Sequence, residues 1–463
     1  MPRRAIVVVT EGASPALVQE WCAKGRLPGF AHLFGAGASG PLDSNSVPYE
    51  PPGLTAALTG HGPGEHGWFS YWTAHAPDYM PRPFTSADVH VPFVWQRQEL
   101  AARQFGVINV FGTHPPVPLN GYLVSYPPVQ SLRTCYPPGL LLELSRKALM
   151  VSHDVSVWFS GQARTGFVDE VLKADERRGR IALEFWARGV DAVVVNLTGI
   201  DRLSHCYWQE LEPGSRVPLD DSAVFRAYRS SDLVLQQLIE AMDEETSLLA
   251  FSEIGFGPVR SYVSINRHLA ASGLLTWEDA AAGRIRWPQT LAFEAVQGTH
   301  GVNINVAGRY RDGTVQPAEY ERCRDRVVET LLGQINPHTG LPFARAVSRR
   351  EEVYAGAARD QAPDLIVEPF DDRYLPFGDP YWAQHVMRSL HSGWHRRGSY
   401  WAGVGAAFAS GAEGTTRQLV DVAPTIFHML GEARPTDLSG TPLGGARNVA
   451  PAARSRTPVA SLA

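Results

Sequence analysis

The sequence predicts an α/β fold, with a mostly parallel central sheet sandwiched by helices. Short, continuously apolar, β-branched runs recur along the 463 residues, and amphipathic helical patterns lie between several of them. Acidic residues sit just past the ends of three of these runs, where open α/β sheets gather ligand-binding groups.

The first run, residues 5–9, stops at Thr10-Glu11-Gly12 and reads as a buried parallel strand. Ser14-Pro15 then supplies a helix N-cap and a proline at the first helical position. Leu17, Val18, Trp21 and Cys22 share one face of that helix, and Gly25 ends it. Further strands of the same sheet are expected at residues 105–110, 192–197, 248–251 and 365–367. Leu235, Leu238, Ile239 and Met242 have the i, i+3, i+4, i+7 spacing of a helix leading into the run at Leu248. Glu11, Asp201 and Glu253 each fall one to four residues beyond a strand end.

One catalytic domain is expected over residues 1–443. A proline-rich stretch with little periodicity, within 114–190, and a second irregular stretch near 260–298 read as cap or lid insertions, where selectivity commonly resides. Residues 444–463 are Ala-, Arg-, Pro- and Ser-rich and read as a disordered tail.

Composition narrows the partners. A net charge of -5, without a long run of either sign, leaves no electrostatic footprint for nucleic acid or an acidic membrane, so a small molecule is the expected partner. No stretch approaches the roughly 18 apolar residues of a membrane span, and the opening run is too short for a secretory leader. Cys22, Cys135, Cys206 and Cys323 are widely spaced with no CxxC pair, which points to reduced thiols and a cytoplasmic location.

The strongest local signal for chemistry is Asp201-Arg202-Leu203-Ser204-His205. On a helical turn this i, i+4 spacing directs a carboxylate and an imidazole the same way, a pair suited to zinc or a similar ion. Such pairs also arise by chance, so a merely solvated or core-satisfied role stays open at this point. His395, in the loop Gly393-Trp394-His395-Arg396-Arg397-Gly398, is a candidate third ligand.

Several separate segments, in a fixed order, add a family resemblance. They are Pro51-Pro52-Gly53-Leu54-Thr55-Ala56-Ala57-Leu58-Thr59-Gly60 with Pro63-Gly64-Glu65-His66-Gly67, then Asp201 to His205 with Trp208, then Ala362-Pro363-Asp364-Leu365-Ile366-Val367, then Asp421-Val422-Ala423-Pro424-Thr425-Ile426 with Leu430-Gly431. In these the chain resembles the type I phosphodiesterase and nucleotide pyrophosphatase branch of the alkaline phosphatase superfamily, over residues 5–443. The resemblance implies an alkaline-phosphatase-like sheet and two metals, usually zinc, around a threonine or serine that attacks phosphorus. It places one metal on Asp201, His205 and His395. The positions of the second metal and the nucleophile read Glu11, Glu50, Glu253 and Ile254, a departure at every one.

Isoleucine cannot bind a metal, so a second site would offer carboxylates alone and favour a hard cation such as magnesium or manganese. The longer arms of Glu11 and Glu253 would displace any such ion. Glu50 needs no activation to be anionic. It is expected as a fourth ligand of the first ion or as a general acid or base, although carboxylate attack on phosphorus is known chemistry. Glutamates converging without a second cation would repel, so at least one is expected to keep its proton near neutral pH.

The resulting expectation is a metal-dependent enzyme holding one divalent ion, zinc by its ligand set, with a second hard cation as an option. Its chemistry is expected to be repurposed to Lewis-acid and proton-transfer work on a small molecule, with specialised metabolism as the setting. The alternatives are a phosphate- or sulfate-ester hydrolase attacking with water at the metal, and an inactive binding protein. His66, His114, His300 and His391 are expected to be hydrogen-bonding residues, and Trp68, Trp72, Trp394 and Trp401 packing residues.

Overall fold

The computed structural model describes residues 3–127, 131, 133–149, 166–376 and 391–444. The expected tail from residue 445 onward and the part of the first insertion at 150–165 lie outside the described residues.

The centre is a ten-stranded sheet. Its middle comprises β1 (Arg4–Thr10), β3 (Phe105–Ile108), β4 (Gly121–Val124), β6 (Ala192–Leu197) and β7 (Thr246–Phe251), all parallel, in the order β7-β1-β6-β3-β4. Antiparallel strands complete both sides: β5 (Cys135–Tyr136) beside β4, and Ser399–Gly405 between β7 and β2 (Ala38–Asp43).

Alternation along β1 shows why its run is apolar throughout. Ile6 and Val8 enter one core cluster and Ala5, Val7 and Val9 the other, so helices cover both faces. Val171, Ile181 and Phe185 of the helix Phe167–Ala187 pack into the first cluster, as do Val224, Leu235 and Leu238 of the helix Ala223–Glu240. Leu54, Ala57 and Leu58 of the helix Glu50–Thr59 pack into the second.

One expected strand lies elsewhere. Residues 365–367 form part of Leu365–Pro369, which pairs antiparallel with Gly301–Ile304 and Ala344–Arg349 in a separate four-stranded sheet. That sheet has its own core, including Val302, Ile304, Val327, Leu365 and Val367. An apolar run specifies burial but not the partner strand, and here the exposed Glu368 within the strand marks a sheet with one wetter face.

β1 lies between β6 and β7, so the loops after three adjacent parallel strands open together at one edge. Glu11 and Glu253 ride on two of those loops, and Asp201 on the helix that follows β6. The close approach is tight: Gly12 has a φ of +75°, and a Cβ there would meet the Asp201 backbone and side chain at 3.0 Å.

Candidate metal centre

Asp201 and His205 lie on the helix Gly199–Tyr207, directly after β6. Its N-terminus is fixed from a neighbouring helix, where Asp175 accepts hydrogen bonds from the Thr198 and Gly199 amides at 3.2 and 2.7 Å. Arg178 donates to Asp175 at 2.6 Å and to the Thr198 hydroxyl at 2.7 Å, so the cap is itself braced. His395 arrives from the strand Gly393–Arg396, which pairs antiparallel with Gly255–Pro258 and sets His395 opposite Phe256. Gly393 is required there, since a Cβ would lie 2.5 Å from the Ser204 carbonyl oxygen.

Three ligand atoms converge. His205 Nε2 is 3.0 Å from His395 Nε2, Asp201 Oδ1 is 3.1 Å from His395 Nε2, and Asp201 Oδ1 is 3.4 Å from His205 Nε2. Ligands about 2.0–2.1 Å from one tetrahedral ion stand roughly 3.3 Å apart, so the spacing fits zinc. The tautomer fits as well. His205 Nδ1 lies 3.1 Å from the Gly393 carbonyl, which only accepts, so Nδ1 carries the proton and Nε2 presents its lone pair to the shared point. All three side chains are at most 1% exposed. Burial depresses the His205 pKa, and Asp201 stays well below the ordinary carboxylate range because His205 and Arg202 outweigh the effect of its own burial. Aromatic rings wall in the imidazoles: Trp394 lies 4.6 Å from His205 and 4.9 Å from His395, and Phe256 4.9 Å from His205.

Glu50 is the first residue of the helix Glu50–Thr59 and is 1% exposed. It stands beside the three-ligand set. Its Oε2 faces His395 Nδ1 at 3.5 Å and its Oε1 accepts from the Tyr71 hydroxyl at 3.1 Å, while its closest carboxylate grouping is with Glu11 and Asp201. Burial first, and the Asp201 charge second, push its pKa up to about 7. Glu11 accepts from Asn196 at 2.7 Å and lies fully buried, as do Glu253 and Ile254. Burial raises Glu11 and Glu253 well above the ordinary range.

Arg202 sets a cation among these glutamates, whose raised pKa values accord with the expected retention of a proton. Its guanidinium Nη1 lies 3.4 Å from Glu11 Oε1 and 3.7 Å from Glu50 Oε1, and it makes a close ion pair with Asp201 Oδ2. Its other nitrogen reaches the Tyr126 hydroxyl at 3.2 Å and that of Tyr71 at 3.5 Å. Burial opposes its charge, yet the surrounding oxygens raise its pKa, so it is a permanent cation. Glu11, Glu50 and Asp201 could offer oxygens to an ion, but Arg202 Nη1 already stands among them. Sequence reasoning missed Arg202 although it adjoins a proposed ligand; the signal was a basic residue set directly beside Asp201 in the ligand-bearing helix.

Other sequence candidates serve locally. His66 Nδ1 accepts from the Trp68 amide, His114 contacts Ser125 and His391 contacts the Tyr262 hydroxyl at 2.9 Å. Trp68 stacks on Phe84 and Trp401 is buried in the sheet core, whereas Trp394 shields the imidazoles and Trp72 lines a cavity. His300 is buried with a φ of +48°.

The sequence profile of the type I phosphodiesterase / nucleotide pyrophosphatase family matches residues 5–395. The chain belongs to that family. A search of the curated proteins finds no match. Among solved structures, the phosphodiesterase-family fold recurs in wild-type alkaline phosphatase PafA (13% identity, TM-score 0.62, covering 96% of this chain and 99% of that one). It recurs also in phosphonoacetate hydrolase from Sinorhizobium meliloti 1021 in complex with phosphonoacetate (14%, TM-score 0.59, 92% and 95%). A third is murine ectonucleotide pyrophosphatase / phosphodiesterase 5, inactive, in complex with AMP (13%, TM-score 0.56, 93% and 96%). These identities establish a shared fold. The family is one of phosphodiesterases and nucleotide pyrophosphatases, which are hydrolytic enzymes. Among the described residues no helix is long and apolar enough to cross a membrane.

Proposed function

We propose that this member is a single-metal enzyme whose chemistry has moved away from two-step phosphoester hydrolysis. Asp201, His205 and His395 would hold one zinc ion, which when bound supplies a Lewis acid to an oxygen of a small-molecule substrate. Glu50 is the proton-moving group. The observation that carries this reading is its placement: a buried carboxyl with its pKa near neutrality, between His395 and the Tyr71 hydroxyl, where a nucleophilic alkoxide would otherwise sit. A group poised near the working pH both takes and gives a proton efficiently. Tyr71 holds Glu50 in orientation, and the aromatic walls keep water away from it.

Hydrolysis, elimination, isomerisation or cyclisation at a carbonyl, carboxylate or similar oxygen all use this pairing. Four unpaired thiols, Cys22, Cys135, Cys206 and Cys323, suit a reducing compartment such as the cytoplasm.

The test combines metal analysis with ester turnover. Protein purified without added metal should carry one zinc per chain and leave aryl phosphate mono- and diesters essentially untouched. Two zinc ions at full occupancy, or brisk aryl phosphate turnover with a phosphoenzyme trapped on Glu50, would overturn the proposal.

A further inference from the structure

We infer that Arg202 is a built-in replacement for the second metal ion: its guanidinium takes the position and the carboxylate partners of that ion and excludes it. The inference extends the single-metal reading above.

The argument is one of place, charge and valence. Nη1 sits among oxygens of Glu11, Glu50 and Asp201, the same three side chains that group as an all-carboxylate cation site. Asp201 divides its two oxygens, Oδ1 toward the two imidazoles and Oδ2 toward the guanidinium, as a ligand shared between neighbouring cations would. Three buried carboxyls, Glu11, Glu50 and Asp201, face the Arg202 guanidinium, so removing its charge leaves Glu11 and Glu50 without it while Asp201 keeps its imidazoles.

The exchange has a chemical consequence. A guanidinium donates hydrogen bonds in a fixed plane but has no open coordination position, so it neither generates an alkoxide nor clamps two phosphoryl oxygens. It also explains the paired loss of ligands: once Arg202 fills the site, position 254 is free to be an apolar core residue, and Ile254 is fully buried. The longer arm of Glu11 faces a planar cation that is wider than a metal ion.

Manganese(II) alone is the probe, read by electron paramagnetic resonance on zinc-loaded enzyme. Wild type should take up no tightly bound manganese, and Arg202→Ala should take up one ion per chain. Thermal midpoints give a second readout: manganese should raise that of Arg202→Ala and leave wild type unmoved. Arg202→Gln, which keeps most of the arm without the charge, should behave as Arg202→Ala, whereas Arg202→Lys should behave as wild type. Tight manganese binding by wild type would overturn the inference. So would a folded Arg202→Ala that binds no more than wild type, or one that stays unfolded even with manganese, because an ion able to take the guanidinium's place would restore the charge balance. The zinc content of wild type tests the single-metal reading separately, since the manganese increment does not depend on it.

Discussion

Glu50 and Arg202 together determine what the site has lost. A threonine hydroxyl becomes a useful nucleophile near neutral pH only when a cation holds it as the alkoxide. Glu50→Thr alone should therefore show no gain in aryl phosphate turnover. Restoring the family's two acids and imidazole as well, with Glu11→Asp, Glu253→Asp and Ile254→His, should still leave the enzyme inert while Arg202 remains. Adding Arg202→Ala should raise metal content to two ions and start turnover. Steady-state kinetics with metal analysis on the series checks this, and strong activity from Glu50→Thr alone would sink it. The meeting of Asp201, His205 and His395 was legible in the sequence because spacing and chain order both mark them. Arg202 was not, because its partners come from a loop and two helices that meet only in the folded chain.

At the level of elements, the helix Gly199–Tyr207 was legible as a turn bearing ligands, but its cap from Asp175 was not, since that contact joins residues 23 and 24 apart across a helix and a strand. The strand at residues 365–367 was legible as buried and misassigned to the central sheet, for want of any pattern naming its partners. Its anchor is Asp364. This buried carboxylate accepts from Arg309 at 2.7 Å, from Arg350 at 3.1 Å and from the Ile304 amide at 2.7 Å, and so ties two strands of the second sheet to the loops around them. Burial pulls its pKa upward, but His75 and Arg309 reverse this and leave it below the ordinary value. A depressed folded pKa means that the unfolded chain takes up the proton first as pH falls. The stability Asp364 contributes is then complete above about pH 4 and is lost as pH drops through its folded value. Asp364→Asn should cost about 3–5 kcal/mol at neutral pH, because it takes the carboxylate from Arg309 and one of the three from the buried Arg350. Urea midpoints from pH 6 to pH 3 should fall less steeply for the variant than for wild type; equal slopes would remove Asp364 as the source.

The whole molecule joins these parts through the ion site. The strands β1, β3, β6 and β7 of the doubly covered sheet were legible, since runs buried on both faces need no partner to be recognised, and the loop ends of β1, β6 and β7 follow from them, whereas β2, β4, β5 and Ser399–Gly405 were not. What sequence could not supply is how distant segments are held at that edge. The two imidazoles are 190 positions apart, one on the helix after β6 and one on a short strand whose pairing is to Gly255–Pro258. The pairing with Gly255–Pro258, the contact of Gly393 with His205 and the packing of Trp394 hold that strand, and an ion bridging helix and strand would add a cross-link to them. A ligand bound only by the folded state stabilises it by about 4 kcal/mol when present at a thousandfold excess over its dissociation constant. Chelation with dipicolinate should therefore lower the thermal midpoint of the purified enzyme, and zinc should restore it. His395→Ala should melt where the chelated wild type melts and should respond to neither reagent, because the cross-link cannot form. Were His395→Ala to keep the full chelator shift, the stabilising ion would sit elsewhere, and the assignment of Asp201, His205 and His395 would fall with it.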